Sequence, residues 1–258
     1  KSVWRKVPFS EPFGDISTGA VPAAGLTQFK ALHDDDYLYV IALLHPAPGF
    51  PTIAKFTERN SPIYQIDSDF EVFVDPTGTL HNYKEFEVNA INTVWNLLLD
   101  KPYSDGGREH SGRIAKPGQD EYYEVYKQKS ATKVLSGRLN DNTTGALWSI
   151  EVALAYSDLL ANTTTTTTPD KLLWRINFSR VEQQGDVNWT WQPQIAWDPA
   201  SNSFRGVVNM HAPDAWGYLS FDHERRDALW PAKLAAVTLY YSLHYCNEQT
   251  GSYTNDVN

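Results

Sequence analysis

The stretch DSDFEVFVDPTGTLHNYKEFEVNAINTVWNLLLDKPY, residues 67–103, decides the fold. It reads as two strands around the turn Asp75-Pro76-Thr77-Gly78, and its period-two alternation produces two chemically opposite faces. Phe70, Val72 and Val74 share one face, and Phe86 and Val88 take the same side of the second strand. Glu85, Glu87 and Asn89 take the other side, followed by Asn92 and Trp95. A sheet face that carries carboxylates and amides beside an indole is either a solvated outer surface or a polar floor for a ligand.

Working outward, the 258 residues are 41% hydrophobic and 13% aromatic, enough for a sizeable core. The net charge of −9 comes without long acidic runs. No basic cluster is interleaved with aromatics, which argues against nucleic acid and anionic membrane as partners. No apolar run approaches the length that spans a bilayer. The single cysteine, Cys246, excludes an internal disulfide and a cysteine-based metal cage. The chain starts at Lys1, consistent with a trimmed or processed secreted protein whose signal peptide has been removed. Four Asn-x-Ser/Thr sequons, at Asn142, Asn162, Asn177 and Asn188, point the same way, toward an extracellular glycoprotein.

On the amino-terminal side, Asp34-Asp35-Asp36 forms a turn into the strand Tyr37–Leu43. Three adjacent aspartates offer oxygen ligands for calcium, and they equally suit a solvated turn. A Pro-rich loop, His45 to Pro62, then leads into the central hairpin. After it, Lys101 to Gln119 reads as a long surface loop bearing Asp105, Arg108, Glu109 and His110.

Further strands are expected at Thr132–Asn140, Leu147–Leu154 and Leu172–Arg180. In the second, Trp148, Ile150 and Val152 face inward and Glu151 outward. In the third, Trp174, Ile176 and Phe178 oppose Arg175, Asn177 and Ser179. A helical turn, Ser157 to Leu160, precedes six threonines, Thr163 to Thr168, read as an exposed excursion. Glu87, Asn89, Glu151, Arg175 and Asn177 thereby form a polar set on the non-core side. Such a set can bond the hydroxyls of a sugar, or form a ladder of cross-strand ion pairs on an open face.

Nine tryptophans are too many for one ligand site, so part of the Trp189, Trp191 and Trp197 group belongs to the core. The neighbours Met210 and His211 invite a haem reading, but adjacent residues cannot ligate opposite faces of one iron, so His45 or His110 would be needed as well. From Asp227 to Glu248 the period changes to that of a helix that starts near Pro231.

The segments LHDDDYLYVIALL, DSDFEVFVDPTG, YKEFEVNAINTVWNLLLDKPY, WSIEVALAYSDL, WRINFSRVE, NWTW and MHAPDAWGYLSF together resemble the carbohydrate-binding module family 9-like proteins. These are a branch of the DOMON-like β-sandwich group, and the resemblance covers roughly Asp34 to Phe221. It implies an all-β, antiparallel sandwich of Ig-like or jelly-roll-like topology over residues 1–226, with residues 227–258 a C-terminal helix and tail. It also implies a sugar or glycan end held between two tryptophans, structural calcium, and, from some relatives, haem. Carried onto this sequence, Trp95 is one stacking platform and Trp191 or Trp216 the other. Glu87, Asn89, Arg175 and Asn177 then form the rim, with Asn92 beside Trp95.

Three functions follow from different classes. A non-catalytic module would bind carbohydrate without turnover. An enzyme in the same concave face would use Glu87 or Glu151 as acid or base, with His110 or His211 as proton shuttle. A haem domain would pair Met210 or His211 with another residue such as His45 or His110.

Overall fold

The computed structural model describes residues 3–141, 145–163, 173–221 and 227–254. Its strands in chain order are β1 (Gly14–Asp15), β2 (Thr27–His33), β3 (Tyr37–Leu44), β4 (Asp69–Asp75), β5 (Tyr83–Asn89), β6 (Val94–Leu99) and β7 (Glu109–His110). They continue with β8 (Lys129–Ser136), β9 (Leu147–Ala155), β10 (Leu173–Glu182), β11 (Val187–Thr190), β12 (Ile195–Asp198), β13 (Ser203–Gly206) and β14 (Gly217–Ser220). The helices are a single turn, α1 (Tyr156–Leu159), and the long α2 (Trp230–Thr250). The six-threonine run beyond Thr163, and the sequon at Asn142, lie outside the described residues.

The strands form an antiparallel β-sandwich, the expected all-β architecture with a C-terminal helix. The larger sheet runs β1-β11-β10-β4-β5-β6-β7, with β14 also paired to β10, and the smaller runs β2-β3-β9-β8. A separate hairpin joins β12 and β13. The alternation read from the sequence dictates which side faces the partner sheet. Phe70, Val72, Val74, Phe86 and Val88 meet Val40, Ala42 and Leu44 of β3 and Ile150, Val152 and Leu154 of β9 in one apolar core. Trp148 and Trp174 are fully buried there, two of the indoles that serve the core.

Local chemistry sets the turns. The Asp75 carboxylate accepts the backbone N–H groups of Thr77, Gly78 and Leu80, which closes the β4–β5 connection. Gly78 takes φ 63°, where a Cβ would also stand 3.3 Å from the Leu173 carbonyl oxygen. At the β5–β6 turn Asn92 adopts φ 67°, and its side chain exchanges hydrogen bonds with Ser130 of β8. That amide thus ties the two sheets together at one end.

The polar side of the larger sheet is covered rather than solvated. Every residue of β4, β5 and β6 is buried, as is β10 beyond Leu173. A second apolar cluster, including Ile16, Ile63, Phe73, Trp95, Leu97, Met210 and Trp216, lies on that face. Ile63, Ile16 and Met210 come from connections rather than from strands of this sheet, so the chain folds a layer of loop over its own carboxylates.

The C-terminal helix begins three residues inside the expected span of 227–248, ends two residues past it, and contacts the rest of the chain at several points. The Arg175 guanidinium lies 3.9 Å from the Trp230 ring centroid, Trp197 Nε1 donates to Ser242 Oγ at 3.0 Å, and the Tyr240 hydroxyl donates to Asp105 at 2.5 Å. Its residues are all at least partly exposed. Among the described residues no helix is long and apolar enough to cross a membrane.

Candidate functional site

A cleft of about 310 Å³ opens on the covered face of the larger sheet. Strand register builds its floor. Ser179 of β10, Glu71 of β4, Glu87 of β5 and Trp95 of β6 stand in one row, each the direct cross-strand partner of the next. The neighbouring row carries Asn177, Phe73, Glu85 and Leu97. Asn188 of β11, with Tyr64, Tyr103, Asn209 and His211 from the connections, completes the walls.

Two carboxylates directly opposite one another in a buried sheet are destabilising unless something compensates. Burial is the largest cause that drives the Glu71 carboxyl up, to about 7, against the Ser179 hydroxyl, which favours the ionised form. Burial again, and then the neighbouring carboxylates, hold Asp69, Glu85 and Glu87 well above the usual range. Glu85 and Glu87 lie within hydrogen-bonding reach of each other, an arrangement that needs a proton between them. Opposite them, the partly buried His211 is pushed down to about 4 by burial, so its imidazole is neutral near pH 7. Its Nδ1 is 3.0 Å from the Tyr83 hydroxyl, and its Nε2 is 3.7 Å from Glu85.

The aromatic wall is a pair. The Tyr64 ring stacks on the Trp95 indole with centroids 5.5 Å apart and planes 18° from parallel, and the Arg113 guanidinium lies 5.0 Å from the same indole. Trp95 is only 4% exposed, whereas Tyr64 is 37% exposed. Tyr64 is therefore the member of the pair that meets solvent.

Of the residues singled out from sequence, the fold brings Glu87, Trp95 and His211 together in the cleft. It sends the others elsewhere. Glu151 lies on the outer side of β9 in the smaller sheet, where it accepts a hydrogen bond from Trp4, so it does not share a face with Glu87. Asn89 donates to the Phe56 carbonyl and to Asp67, which fixes the covering loop. Asn92 sits in its turn. Arg175 is 2% exposed, donates to the Pro213 and Asp214 carbonyls, and packs against Tyr218 and Trp230. Asn177 is buried and donates to the Gln192 carbonyl, a position that leaves its sequon inaccessible in the folded chain.

The remaining indoles are structural in their contacts. Trp191 packs edge-on against Phe29 and Phe178 of the sandwich core. Trp216 is buried against Phe73 and Tyr83 and donates to the Met210 carbonyl. His110 sits on the short edge strand β7, with Nδ1 3.2 Å from the Asp120 carbonyl.

The donor sets decide what ions and cofactors suit these residues. Asp34 accepts the N–H groups of Asp36 and Tyr37 and the Tyr39 hydroxyl, bonds that hold the turn into β3. Both ring nitrogens of His211 face protein partners, and Met210 packs in the outer apolar cluster, an arrangement that does not fit axial ligation of haem. Asp69, Glu71 and Glu87, by contrast, bring carboxylate oxygens within 4.8 Å of one another.

Sequence reasoning did not single out Asp69, Glu71, Tyr64 or Tyr103. Asp69 and Glu71 were readable, since the alternation that turns Phe70 and Val72 inward turns them to the face of Glu85 and Glu87. Tyr64 and Tyr103 sit on short 3-10 turns, where no period marks the side they face. A second cleft of about 250 Å³ lies beneath α2 and adjoins the first through Asn209 and His211.

Neither the family models nor the curated proteins compared with this chain yield a match. Solved structures do. A structure from Bacteroides uniformis ATCC 8492 named a "putative carbohydrate-binding protein" superposes with a TM-score of 0.58 at 17% identity, over 84% of this chain and 88% of that one. This chain shares its fold. A carbohydrate binding module family 9 from Caldicellulosiruptor kristjanssonii in complex with cellotriose aligns over 88% of this chain and 89% of its own, at 15% identity and a TM-score of 0.47. The same module with glucose gives 16% identity and 0.46 over 88% and 90% of the two chains.

Proposed function

We propose that the chain is a carbohydrate-binding protein whose site is the cleft bounded by Tyr64, Trp95, Glu71, Glu85, Glu87 and His211. One observation carries this reading: a solvent-facing aromatic ring, Tyr64, is backed by a buried indole and set beside a row of carboxylates. A pyranose has apolar C–H faces and a rim of hydroxyls. The first suits an aromatic plane held rigid from behind, and the second suits carboxylate, imidazole and amide groups held in fixed directions. The shared fold with a protein named as carbohydrate-binding supports the same reading. A glycan ligand also accords with the extracellular setting expected from the sequence.

Geometry favours binding over glycoside hydrolysis. Retaining and inverting enzymes hold their two carboxyl groups about 5 to 9.5 Å apart, with room for the bond or water between them. The two carboxylates that the sequence pairs for such chemistry, Glu87 and Glu151, instead stand on different sheets.

The test is a titration of the protein with mono- and oligosaccharides, followed by tryptophan fluorescence, with mass spectrometry of the recovered sugar. A saturable change that Tyr64→Ala removes, with the sugar recovered intact, is the expected result. Altered sugar would make the protein an enzyme. No response to any sugar would remove carbohydrate as the ligand class.

A further inference from the structure

Asp69 of β4 is 0% exposed, and neither of its carboxylate oxygens has a hydrogen-bond partner. The Val181 backbone amide is close enough to act on this group electrostatically but is not in hydrogen-bond geometry with it. One oxygen of Glu71 and one of Glu87 are buried and unpartnered in the same way. Among the described residues no Lys, Arg or His forms an ion pair with any of the three. Buried oxygens of this kind are rare because each forfeits its hydration with nothing in return.

Their spacing supplies the missing partner. Oxygens of all three residues lie within 4.8 Å of one another. Two oxygens bound to the same calcium ion at about 2.4 Å can stand at most about 4.8 Å apart, a limit that all three pairs meet. The set contains oxygen alone, without the imidazole or thiolate that zinc and other soft ions prefer.

We propose that Asp69, Glu71 and Glu87 hold one divalent cation of the calcium class in the floor of the cleft. Strand alternation places the first two on β4 two residues apart, and register places the third opposite the second. Calcium takes six to eight oxygen ligands, so three carboxylates leave positions for water or for a bound hydroxyl. Those positions fall toward the cleft, because Glu71 and Glu87 border it while Asp69 lies behind. Cation binding does not depend on the carbohydrate reading. Only the suggestion that a ligand hydroxyl takes an open position rests on it.

Trp95 stands directly opposite Glu87, which gives the experiment a built-in reporter. Terbium is added to the metal-free protein, the indoles are excited, and the luminescence is followed and then competed with calcium. The expected result is a saturable signal at one ion per chain, displaced by calcium, together with a calcium-dependent rise in melting temperature that a chelator reverses. Asp69→Asn and Glu87→Gln are each expected to weaken terbium binding at least tenfold, while Asp34→Asn leaves it unchanged. Should these variants fail to fold, Trp95→Phe supplies the second measurement: it should dim the terbium signal several-fold at unchanged stoichiometry.

Absence of both luminescence and a calcium-dependent melting shift would overturn the proposal, and the three carboxylates would then be neutralised by shared protons. Binding that survives Asp69→Asn and Glu87→Gln but is lost in Asp34→Asn would also overturn it. A sugar titration that fails in the presence of a bound cation would sink the carbohydrate reading and leave the cation site standing.

Discussion

The Tyr64 ring lies almost parallel to the Trp95 indole, 5.5 Å between centroids, with the tyrosine open to solvent and the tryptophan sealed beneath it. The two rings therefore respond differently to truncation. Tyr64→Ala should weaken sugar binding at least tenfold and shift the melting temperature by only a few degrees. Trp95→Ala removes a buried ring and should cost roughly 3 to 5 kcal/mol of stability, read as a fall in the denaturation midpoint. Equal stability losses in the two variants would contradict this division.

Arg175 joins the sandwich to its helix. It lies 4.4 Å from the Tyr218 ring centroid and 3.9 Å from that of Trp230, and its guanidinium also donates to the Pro213 carbonyl. Arg175→Ala should cost roughly 2 to 4 kcal/mol, from a desolvated cation–π contact and the orphaned carbonyls. Limited proteolysis should release the 230–250 segment sooner, with sugar affinity unchanged.

In metal-free protein the contribution of Glu71 to stability should rise as pH falls from 8 through 7, read as the difference between the wild type and Glu71→Gln. Glu71 is pushed up to about 7 in the fold from an ordinary 4.5, so its neutral form is the one the fold favours. A raised carboxyl contributes stability that is present at low pH and lost as pH rises through the folded value, here worth on the order of 3 kcal/mol in total. His211 acts in the opposite sense: held at about 4, it contributes stability above 6.5 that fades as pH falls toward 4. Buried Lys84, held at about 7 from an ordinary 10.5, also loses stability as pH falls from 8 toward 7, so the difference in urea midpoint between the wild type and Glu71→Gln isolates what Glu71 contributes. Saturating calcium should flatten that rise.

Asn92 occupies a left-handed turn and bridges to Ser130. Asn92→Ala should cost about 1 to 2 kcal/mol through backbone strain and the lost bridge, and Asn92→Gly should cost less because glycine tolerates that φ. Thermal denaturation of the two variants checks the order.

Much of the sandwich was legible because strand alternation is a local signal. Phe70, Val72, Val74, Trp148, Ile150 and Val152 all point to the core that the period assigned them. The site was legible only in part. Period two told which side Glu87 faces, but it could not tell that the loops carrying Ile63 and Met210 return to cover that side. Nor could it separate the two sheets, so Glu151 and Glu87 were grouped as polar although they belong to different layers. Tyr64 escaped because a 3-10 turn of three residues has no period to read.

The larger sheet divides the apolar interior into two clusters that meet only across its backbone. The inner cluster joins sheet to sheet, while the outer one joins the sheet to loops. Loops part from a sheet more easily than two sheets part from each other, so the outer layer forms a cooperative unit of its own. Amide protons of the 51–66 and 207–216 segments will exchange through partial openings, well below the energy of global unfolding. Each such opening bares the carboxylate row to water while the paired sheets stay shut, so the protein can admit a ligand or an ion to its floor without unfolding.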